Sequence, residues 1–499
     1  MVACVALLAA GCTVPGASHF AGPVDGVRPS LALVPADSIG FAQYDTDPSS
    51  KRWSALEDAA GTGTAKDALE ALWGQAFGDD VRLAAIEPWV GPMAGTALHV
   101  LDVDGVQQDD VLLFADVESR SKLETFLRDG GWTRGSGNAR SIDGHDVWVA
   151  SGGSDGALDT LAIADDALIA ARSPKALRRL LRLADDSAMD HRTAMAEYSV
   201  EAASKVPVAL LVRSDVAIQQ VRRLFQDDPS SLELSRWLTA GKLPYALRDG
   251  WLGVAPPLDR SRRAVRLVGR ADWIPDLAPD LDPQPVAASV LDQLPSDVVG
   301  AVAVHDLGTY LVDAVNGIAG GGMQFATEDD MPAGAERVEL LPLLAKLDGD
   351  GAVGWSPAQE AVVAFVRVDD AAAVAAAFTD ALEFAKLDGS VSTIGDGVEI
   401  ALHVAAVRRF PQLDDGAGAD CAATEQEQRH DALAAAGTPP RRPIAWSYVA
   451  GGACSHTLAG WVTFDGVEHM SWSFDVPVTD RSVDRTLLAL EPASSSSTR

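Results

Sequence analysis

The chain has 499 residues, of which 47% are hydrophobic and 22% charged, a composition typical of globular proteins that build an apolar core. Acidic residues outnumber basic ones 71 to 40, which gives a formal net charge of −31. Such a body is repelled by phosphate backbones, which argues against nucleic-acid binding. No apolar run reaches the length of a transmembrane helix, so we expect the body to be soluble.

The amino terminus, MVACVALLAAGC, places nine apolar or small residues before Gly11 and Cys12. As a helix, this run would rise about 14 Å, which is too short for a hydrocarbon core of about 30 Å. Small residues before the cysteine are typical of a cleavage site for export. The segment from Leu8 to Cys12 resembles a bacterial lipobox, although no positively charged region precedes it, so we expect the natural start to lie upstream. A short core strand is the alternative.

The resemblance to a lipobox makes Cys12 the expected site of lipidation. Residues 1–11 would then be a signal peptide and residues 12–30, rich in Gly, Pro and Ser, a tether. One acyl chain binds a membrane only marginally, whereas a diacylglyceryl group supplies two chains. We therefore expect an exported protein of the bacterial cell envelope, anchored to a membrane through Cys12.

The body of the sequence contains an internal repeat. VPADSIGFAQYD, residues 34–45, returns as LPSDVVGAVAVHD, residues 294–306, and each predicts a Pro-Asp turn followed by a buried strand. Later segments of the first half recur in the same order in the second half. We therefore expect two tandem homologous lobes, residues 31–273 and 291–488, a Pro/Asp-rich linker over 274–290, and a disordered tail over 489–499.

The pattern within each lobe predicts an α+β fold, with a mainly antiparallel sheet and helices packed on one face. LAIADDALIAA predicts two strands joined at Asp165-Asp166. LDVDGVQQDD lacks the spacing of a calcium loop and predicts an Asp-Gly hairpin instead. Further Asp-Gly hairpins are predicted at Asp249-Gly250 and Asp465-Gly466.

Four short motifs resemble an uncharacterised family of bacterial exported and lipid-anchored proteins that carry a domain of unknown function. The resemblance covers residues 31–270 and, more faintly, 293–405. It implies an exported or lipid-anchored location, but the family supplies no established activity and no site residues. The motifs are an "LPADT"-like strand at 34–45, a P-x-x-G element at 88–91, a strand-and-helix unit at 110–130 and a hairpin at 159–171.

The cysteines suggest one disulfide bond. Cys4 would leave with the signal peptide and Cys12 would be acylated, so Cys421 and Cys454 remain as a pair in an oxidising compartment. A bond closing a loop of roughly 30 residues would contribute about 3 kcal/mol. Two unrelated thiols are the alternative. A metal site is not expected, because the spacing of zinc-binding cysteines is missing.

The segment SPKALRRLLRL predicts a short helix with Ser173 as its N-cap. Its cations would form a basic strip on an otherwise acidic protein, which could dock an acidic partner protein or an anionic envelope polymer. A solvated face, favoured by the helix dipole, is the alternative. The strip consists of Lys175, Arg178, Arg179 and Arg182.

No catalytic, metal or nucleotide motif stands out, so we expect no cofactor and no enzymatic activity. The leading expectation is a lipid-anchored envelope protein that acts as a binding or scaffolding module. One alternative is a carrier of a lipid or other apolar ligand, in which Trp148, Trp461 and Trp472 would line a groove instead of filling the core. The second is an exported hydrolase whose site assembles in space.

Overall fold

The protein is an α+β structure built on one large antiparallel sheet. The computed structural model describes the following residues: 29–34, 38, 40–61, 63–78, 81–101, 108–135, 141–142, 144–151, 158–164, 166–171, 173–178, 181, 193–213, 247–260, 262–274, 284–298, 300–312, 340–403, 425–439, 441–450, 456–464 and 469–477.

The strands of the described residues carry the labels β1 to β19. They are β1 Gly40–Asp45, β2 Val90–Leu101, β3 Gln108–Val117, β4 Trp132–Arg134, β5 Ser141–Ile142, β6 His145–Ala150, β7 Thr160–Ala164, β8 Ala167–Ala171, β9 Val208–Val212, β10 Leu247–Ala255, β11 Ala264–Trp273, β12 Gly300–Val304, β13 Gly351–Ser356, β14 Ala361–Arg367, β15 Gly389–Ile394, β16 Gly397–His403, β17 Ala445–Ala450, β18 His456–Phe464 and β19 His469–Pro477.

The helices flank the sheet and are labelled in the same way. They are α1 Lys51–Ala60, α2 Thr64–Phe77, α3 Leu83–Ile86, α4 Arg120–Asp129, α5 Thr193–Lys205, α6 Leu340–Leu344, α7 Ala371–Ala385 and α8 Glu425–Ala435. Short 3₁₀ helices cover Leu31–Leu33 and Ala288–Gln293, and further helical turns cover residues 174–178 and 307–312.

Neighbouring strands pair antiparallel throughout the sheet. From β6, which also pairs with β4 and β5, the order is β6–β7–β8–β3–β2–β1–β9–β10–β11. It continues through β19–β18–β17–β12–β13–β14–β16–β15. The first and second halves of the chain meet where β11 pairs with β19, from Ala264 opposite Pro477 to Asp272 opposite His469.

The order of strands on one side of this central pair matches the order on the other side. Moving outward, the first half follows β11, β10, β9, β1, β2 and β3, and the second follows β19, β18, β17, β12, β13 and β14. Beyond that point they differ, because the β7–β8 hairpin lies between β3 and β6, whereas β16 pairs directly with β14.

Both faces of the sheet carry helices, so the expected packing on one face is wrong. Successive residues of β3 belong to different apolar clusters: Leu113 to the cluster with Leu69 of α2, and Phe114 to the cluster with Met195 of α5. In the second half, one cluster includes α8 and the other α7. Strands buried on both faces read as continuous apolar runs, as TLAIA and ALIAA do, and lack the alternation of a one-sided sheet.

The predicted hairpins had mixed outcomes. The β7–β8 pair turns as expected, with Ala164 opposite Ala167, and β2 pairs with β3 on either side of the predicted Asp-Gly turn. The prediction at Asp249-Gly250 is wrong, because both residues lie inside β10 at an irregularity in its pairing with β11. A Cβ on Gly250 would lie 2.5 Å from the Arg270 carbonyl oxygen, so this glycine serves a close strand approach and not a turn.

The tryptophans considered for a groove are buried. Trp148, Trp461 and Trp472 are 1%, 7% and 5% exposed. A separate aromatic cluster fills the space between α2, α4 and the sheet, with ring centroids 5.1 to 6.3 Å apart. It consists of Trp73, Phe77, Trp89, Phe126 and Trp132. Core filling therefore accounts for most of the aromatic side chains in these regions.

A glycine permits the close packing of the central strands. The Trp472 ring of β19 covers Gly269 of β11, where a Cβ would lie 2.5 Å from the ring and would overlap the Trp251 carbonyl oxygen. By contrast, a Cβ on Gly300 of β12 would meet no atom within 4 Å. We predict that Gly269→Ala lowers the free energy of unfolding by about 1–3 kcal/mol, because overpacking displaces the tryptophan or the strand.

The matched control is Gly300→Ala, which should change the free energy of unfolding by no more than about 1 kcal/mol. Urea unfolding followed by tryptophan fluorescence measures both variants. Equal stability of the two variants would contradict the assignment of close packing to Gly269.

Candidate functional site

A surface cleft of about 260 Å³ lies in the first half of the chain, where β1 and β2 meet α1 and α5. Its polar lining consists of Gln43, Tyr44, Asp45, Arg52, Ser199 and Ser204. Its apolar lining consists of Pro92, Met93, Val200, Ala203, Val206 and Pro207. The cleft therefore combines polar and apolar side chains, as binding sites commonly do.

An ion pair between the end of β1 and the start of α1 lines the cleft. Arg52 donates to Asp45 Oδ2 from Nη2 at 2.6 Å and from Nε at 3.0 Å. The backbone oxygen of Asp45 accepts from Trp53 Nε1 at 2.7 Å. The Ser50 hydroxyl caps α1 by accepting from the Trp53 backbone N–H, which helps fix the first turn that carries Arg52.

A second polar pair fixes α5 against β1. Gln43 Nε2 donates to the Ser199 carbonyl oxygen at 3.1 Å, and Ser199 Oγ donates to Gln43 Oε1 at 2.8 Å. Both residues are buried, and the Gln43 amide is satisfied by the backbone carbonyl and the hydroxyl of Ser199. These two hydrogen bonds connect α5 to β1.

The apolar walls reach the surface at Val200. This side chain is 37% exposed and is one of few large hydrophobic residues exposed in the described part of the chain. Met93, which forms the opposite wall, is only 4% exposed. The accessible surface of the cleft therefore includes both the apolar Val200 and the Arg52 side chain, which is 35% exposed.

A second cluster of titratable groups lies where the two halves of the sheet meet. Tyr198 of α5 donates to Asp272 Oδ1, and His469 Nδ1 lies 3.0 Å from the same oxygen. Arg270 and Glu201 form an ion pair beside this cluster, with Arg270 Nη1 3.4 Å from Glu201 Oε2. We call Tyr198, Asp272 and His469 the seam cluster.

Burial shifts the pKa values within the seam cluster. It raises the pKa of Tyr198 above its usual range, with a further contribution from the Asp272 charge, so the phenol stays protonated and donates. Burial also raises the pKa of Asp272, while the hydrogen bond from Tyr198 and the nearby His469 act in the opposite direction.

The seam cluster shares an Asp–His pair with hydrolases but arranges its hydroxyl differently. In a hydrolytic triad the nucleophilic hydroxyl donates to the imidazole, which takes up its proton. Here the Tyr198 hydroxyl donates to the Asp272 carboxylate instead, which is a structural role for a buried tyrosine. The geometry therefore joins α5, β11 and β19 and does not activate Tyr198 as a nucleophile.

The residues predicted from the sequence lie apart from both clusters or outside the described residues. The predicted cap is confirmed, since Ser173 Oγ accepts from the Ala176 backbone N–H at 3.1 Å. Lys175 is exposed and Arg178 half-buried, and neither lines the cleft. Outside the described residues lie Cys12, Arg179, Arg182, Cys421 and Cys454.

Sequence analysis missed the residues of both clusters. Asp45 ends the repeated segment 34–45, and the capped helix start after it, Ser50 followed by Arg52, is a usable signal. The seam cluster gave no local signal, because its members come from three elements remote in sequence.

Two further properties concern only the described part of the chain. There, no group of three or more His, Cys, Asp or Glu side chains is arranged to hold a metal ion. Among the same residues, no helix is both long and apolar enough to cross a membrane.

Comparison with known proteins gave distant structural similarity alone. No family model and no curated protein matches the chain. Crystal form I of TP0453 is 11% identical with a TM-score of 0.25, covering 50% of this chain and 79% of that one. Crystal form III of TP0453 is 10% identical with a TM-score of 0.27, covering 49% and 80%.

The raised pKa of Asp272 predicts a pH dependence of stability. Between the unfolded pKa near 3.8 and the raised folded pKa, the folded protein binds more protons, so its stability falls as the pH rises. Asp272→Asn removes this titration. We predict that the unfolding free energy of the wild type falls relative to that of Asp272→Asn as the pH rises, by about 1.4 kcal/mol per unit of the pKa shift.

Urea unfolding at a series of pH values from 4 to 8 measures this difference. Asp388→Asn, at an exposed position, is the matched control and should follow the wild-type profile. A constant difference between wild type and Asp272→Asn across the range would exclude the assigned titration.

Proposed function

We propose that the chain is a non-catalytic, lipid-anchored protein of the bacterial cell envelope whose body binds or scaffolds another envelope component. The observation that carries the proposal is the cleft, which offers apolar walls and the Asp45–Arg52 pair at the surface of the body. Its acidic and basic groups, Asp45 and Arg52, are bonded to each other.

The anchor rests on the amino-terminal sequence. Leu8 to Cys12 has the small residues and the cysteine of a lipobox, and the following Gly/Pro/Ser-rich residues 13–29 suit a tether. Two acyl chains at Cys12 would hold the body at a membrane surface. The resemblance to exported and lipid-anchored proteins is consistent with this location.

The body, in this proposal, consists of two tandem homologous lobes that share one sheet. The repeat of residues 34–45 at 294–306 supports it, since these segments lead into β1 and β12 at matching places in the strand order. The additional β7–β8 hairpin then belongs to the first lobe. The cleft lies in that first lobe, between its helices and the ends of β1 and β2.

The cleft favours a binding module over the two alternatives. The volume of this cleft, about 260 Å³, is below the range of about 300–1,000 Å³ typical of sites that enclose whole ligands, so the cleft itself does not suit an enclosed lipid. A hydrolase needs a nucleophile bonded to its base, whereas the Tyr198 hydroxyl bonds to the Asp272 carboxylate.

The basic strip offers a second contact surface in this proposal. Lys175 is exposed beside the buried Ala176 and Leu177, so its ammonium group faces solvent on a protein of net charge −31. The positive charge of Lys175 would attract an acidic protein segment or an anionic envelope polymer.

The anchor predicts a specific effect of two cysteine substitutions. We expect the wild type, expressed in a bacterial host from its natural start, to sediment with membranes and to carry diacylglyceryl on a chain that begins at Cys12. Cys12→Ala should appear in the supernatant or unprocessed. Cys4→Ala is the matched control and should stay on the membrane, because this residue leaves with the signal peptide.

Fractionation and intact-mass spectrometry in mild detergent measure location, processing and bound molecules together. A wild-type chain without an acyl mass would overturn the anchor. A stoichiometric lipid mass beyond the acyl group would support the carrier instead of the binding module.

A further inference from the structure

We propose that the cleft binds an extended, uncharged polypeptide segment by taking up one apolar side chain and donating a hydrogen bond from Arg52 to a peptide carbonyl of that segment. The inference rests on the proposed function as a binding module and names the chemical class of its partner. It follows from the donors, the charge and the size of the cleft.

The proposed donor to the peptide carbonyl is Nη1 of the Arg52 guanidinium. Nε and Nη2 bond to Asp45, while Nη1 makes no hydrogen bond to any residue that the structure describes. The Arg52 side chain is 35% exposed. Because Asp45 and the first turn of α1 hold the guanidinium in place, this donor is fixed before a ligand arrives, which lowers the entropic cost of binding.

The charge of the cleft disfavours an ionic ligand. Arg52 is neutralised by the Asp45 carboxylate at 2.6 Å, and the whole chain carries −31, so an anion gains little locally and is repelled overall. The Asp45 carboxylate, the group that would attract a cation, is already bonded to Arg52. The remaining N–H groups therefore suit a neutral acceptor, and the peptide carbonyl is the strongest common one.

The size and walls of the cleft suit one large side chain with its flanking backbone. About 260 Å³ equals roughly nine water molecules at about 30 Å³ each. Pro92 and Val200 are the exposed apolar residues of its lining, whereas Met93, Val206 and Pro207 are buried. A peptide offers both a carbonyl acceptor for Arg52 and an apolar side chain, whereas an acyl chain offers the apolar part alone.

Methionine-methyl NMR of the full acylated chain in mild detergent tests the proposal. The probe is the blocked peptide acetyl-Ala-Leu-Ala-amide, titrated to millimolar concentration. We expect a saturable shift of the Met93 methyl signal. The signals of Met195 and Met470, which do not line the cleft, should stay in place and report that the fold is intact.

Two further probes separate the chemical classes. N-acetyl-leucine carries the same side chain with a carboxylate, and we expect it to bind at least threefold more weakly than the blocked peptide. Tighter binding of N-acetyl-leucine would overturn the neutral acceptor in favour of an anion. Octanol has the apolar body without a peptide carbonyl, and equal binding of octanol would overturn the role of Arg52.

Variants locate the binding and separate its parts. Ala203→Trp should fill the cleft and abolish the Met93 shift, whereas Ala372→Trp, on the exposed face of α7, should leave it unchanged. Arg52→Lys keeps the charge beside Asp45 but removes Nη1, and we expect a loss of affinity of about tenfold. Unchanged affinity in Arg52→Lys would overturn the assigned hydrogen bond.

The readouts distinguish failure of this inference from failure of the proposed function. A membrane-anchored protein whose Met93 signal never shifts with the peptide overturns the cleft assignment alone. A Met93 shift in a protein that lacks the acyl group supports the cleft assignment and overturns the proposed anchor.

Discussion

The pairing of β11 with β19 holds the described structure together, because it is the contact through which the strands of the two halves become one sheet. Nine residue pairs run from Ala264 opposite Pro477 to Asp272 opposite His469. A shift of one residue in the pairing would move every side chain of the strand to the opposite face of the sheet. Polar contacts that form in only one register therefore help to specify it. At one end Asp272 meets His469, and near the other the buried Asp475 lies 3.3 Å from Arg262.

Burial on both faces follows from this extended sheet and explains the apolar composition of its strands. A strand with helices above and below must present apolar side chains at consecutive positions, as Leu161, Ala162 and Ile163 do. In two places a large ring of one strand lies over a glycine of the paired strand, where a side chain would overlap it. The Trp472 ring lying on Gly269 at the centre of the seam is one case, and the Phe474 ring on Gly460 is another.

Local features of the fold could be predicted from the sequence, whereas its long-range assembly could not. The β7–β8 hairpin and the Ser173 cap depend on neighbouring residues, and both are found as expected. The Asp-Gly signal at Asp249 failed, because an Asp-Gly pair fits a bulge as well as a turn and the partner strand decides between them. The second helical layer was missed, since an apolar strand run does not reveal what covers each face.

The candidate site shows the same division between local and long-range information. The Asp45–Arg52 pair spans seven residues and could have been found from the capped start of α1. The other side of the cleft is formed by α5, and the position of this helix depends on contacts with residues that are far away in the sequence. Ser199 bonds to Gln43 of β1, while its neighbour Tyr198 bonds to Asp272 of β11, so adjacent residues of one helix hold the cleft and the seam. The helix that lines the cleft is therefore also bonded to β11, the strand of the first half that pairs with β19.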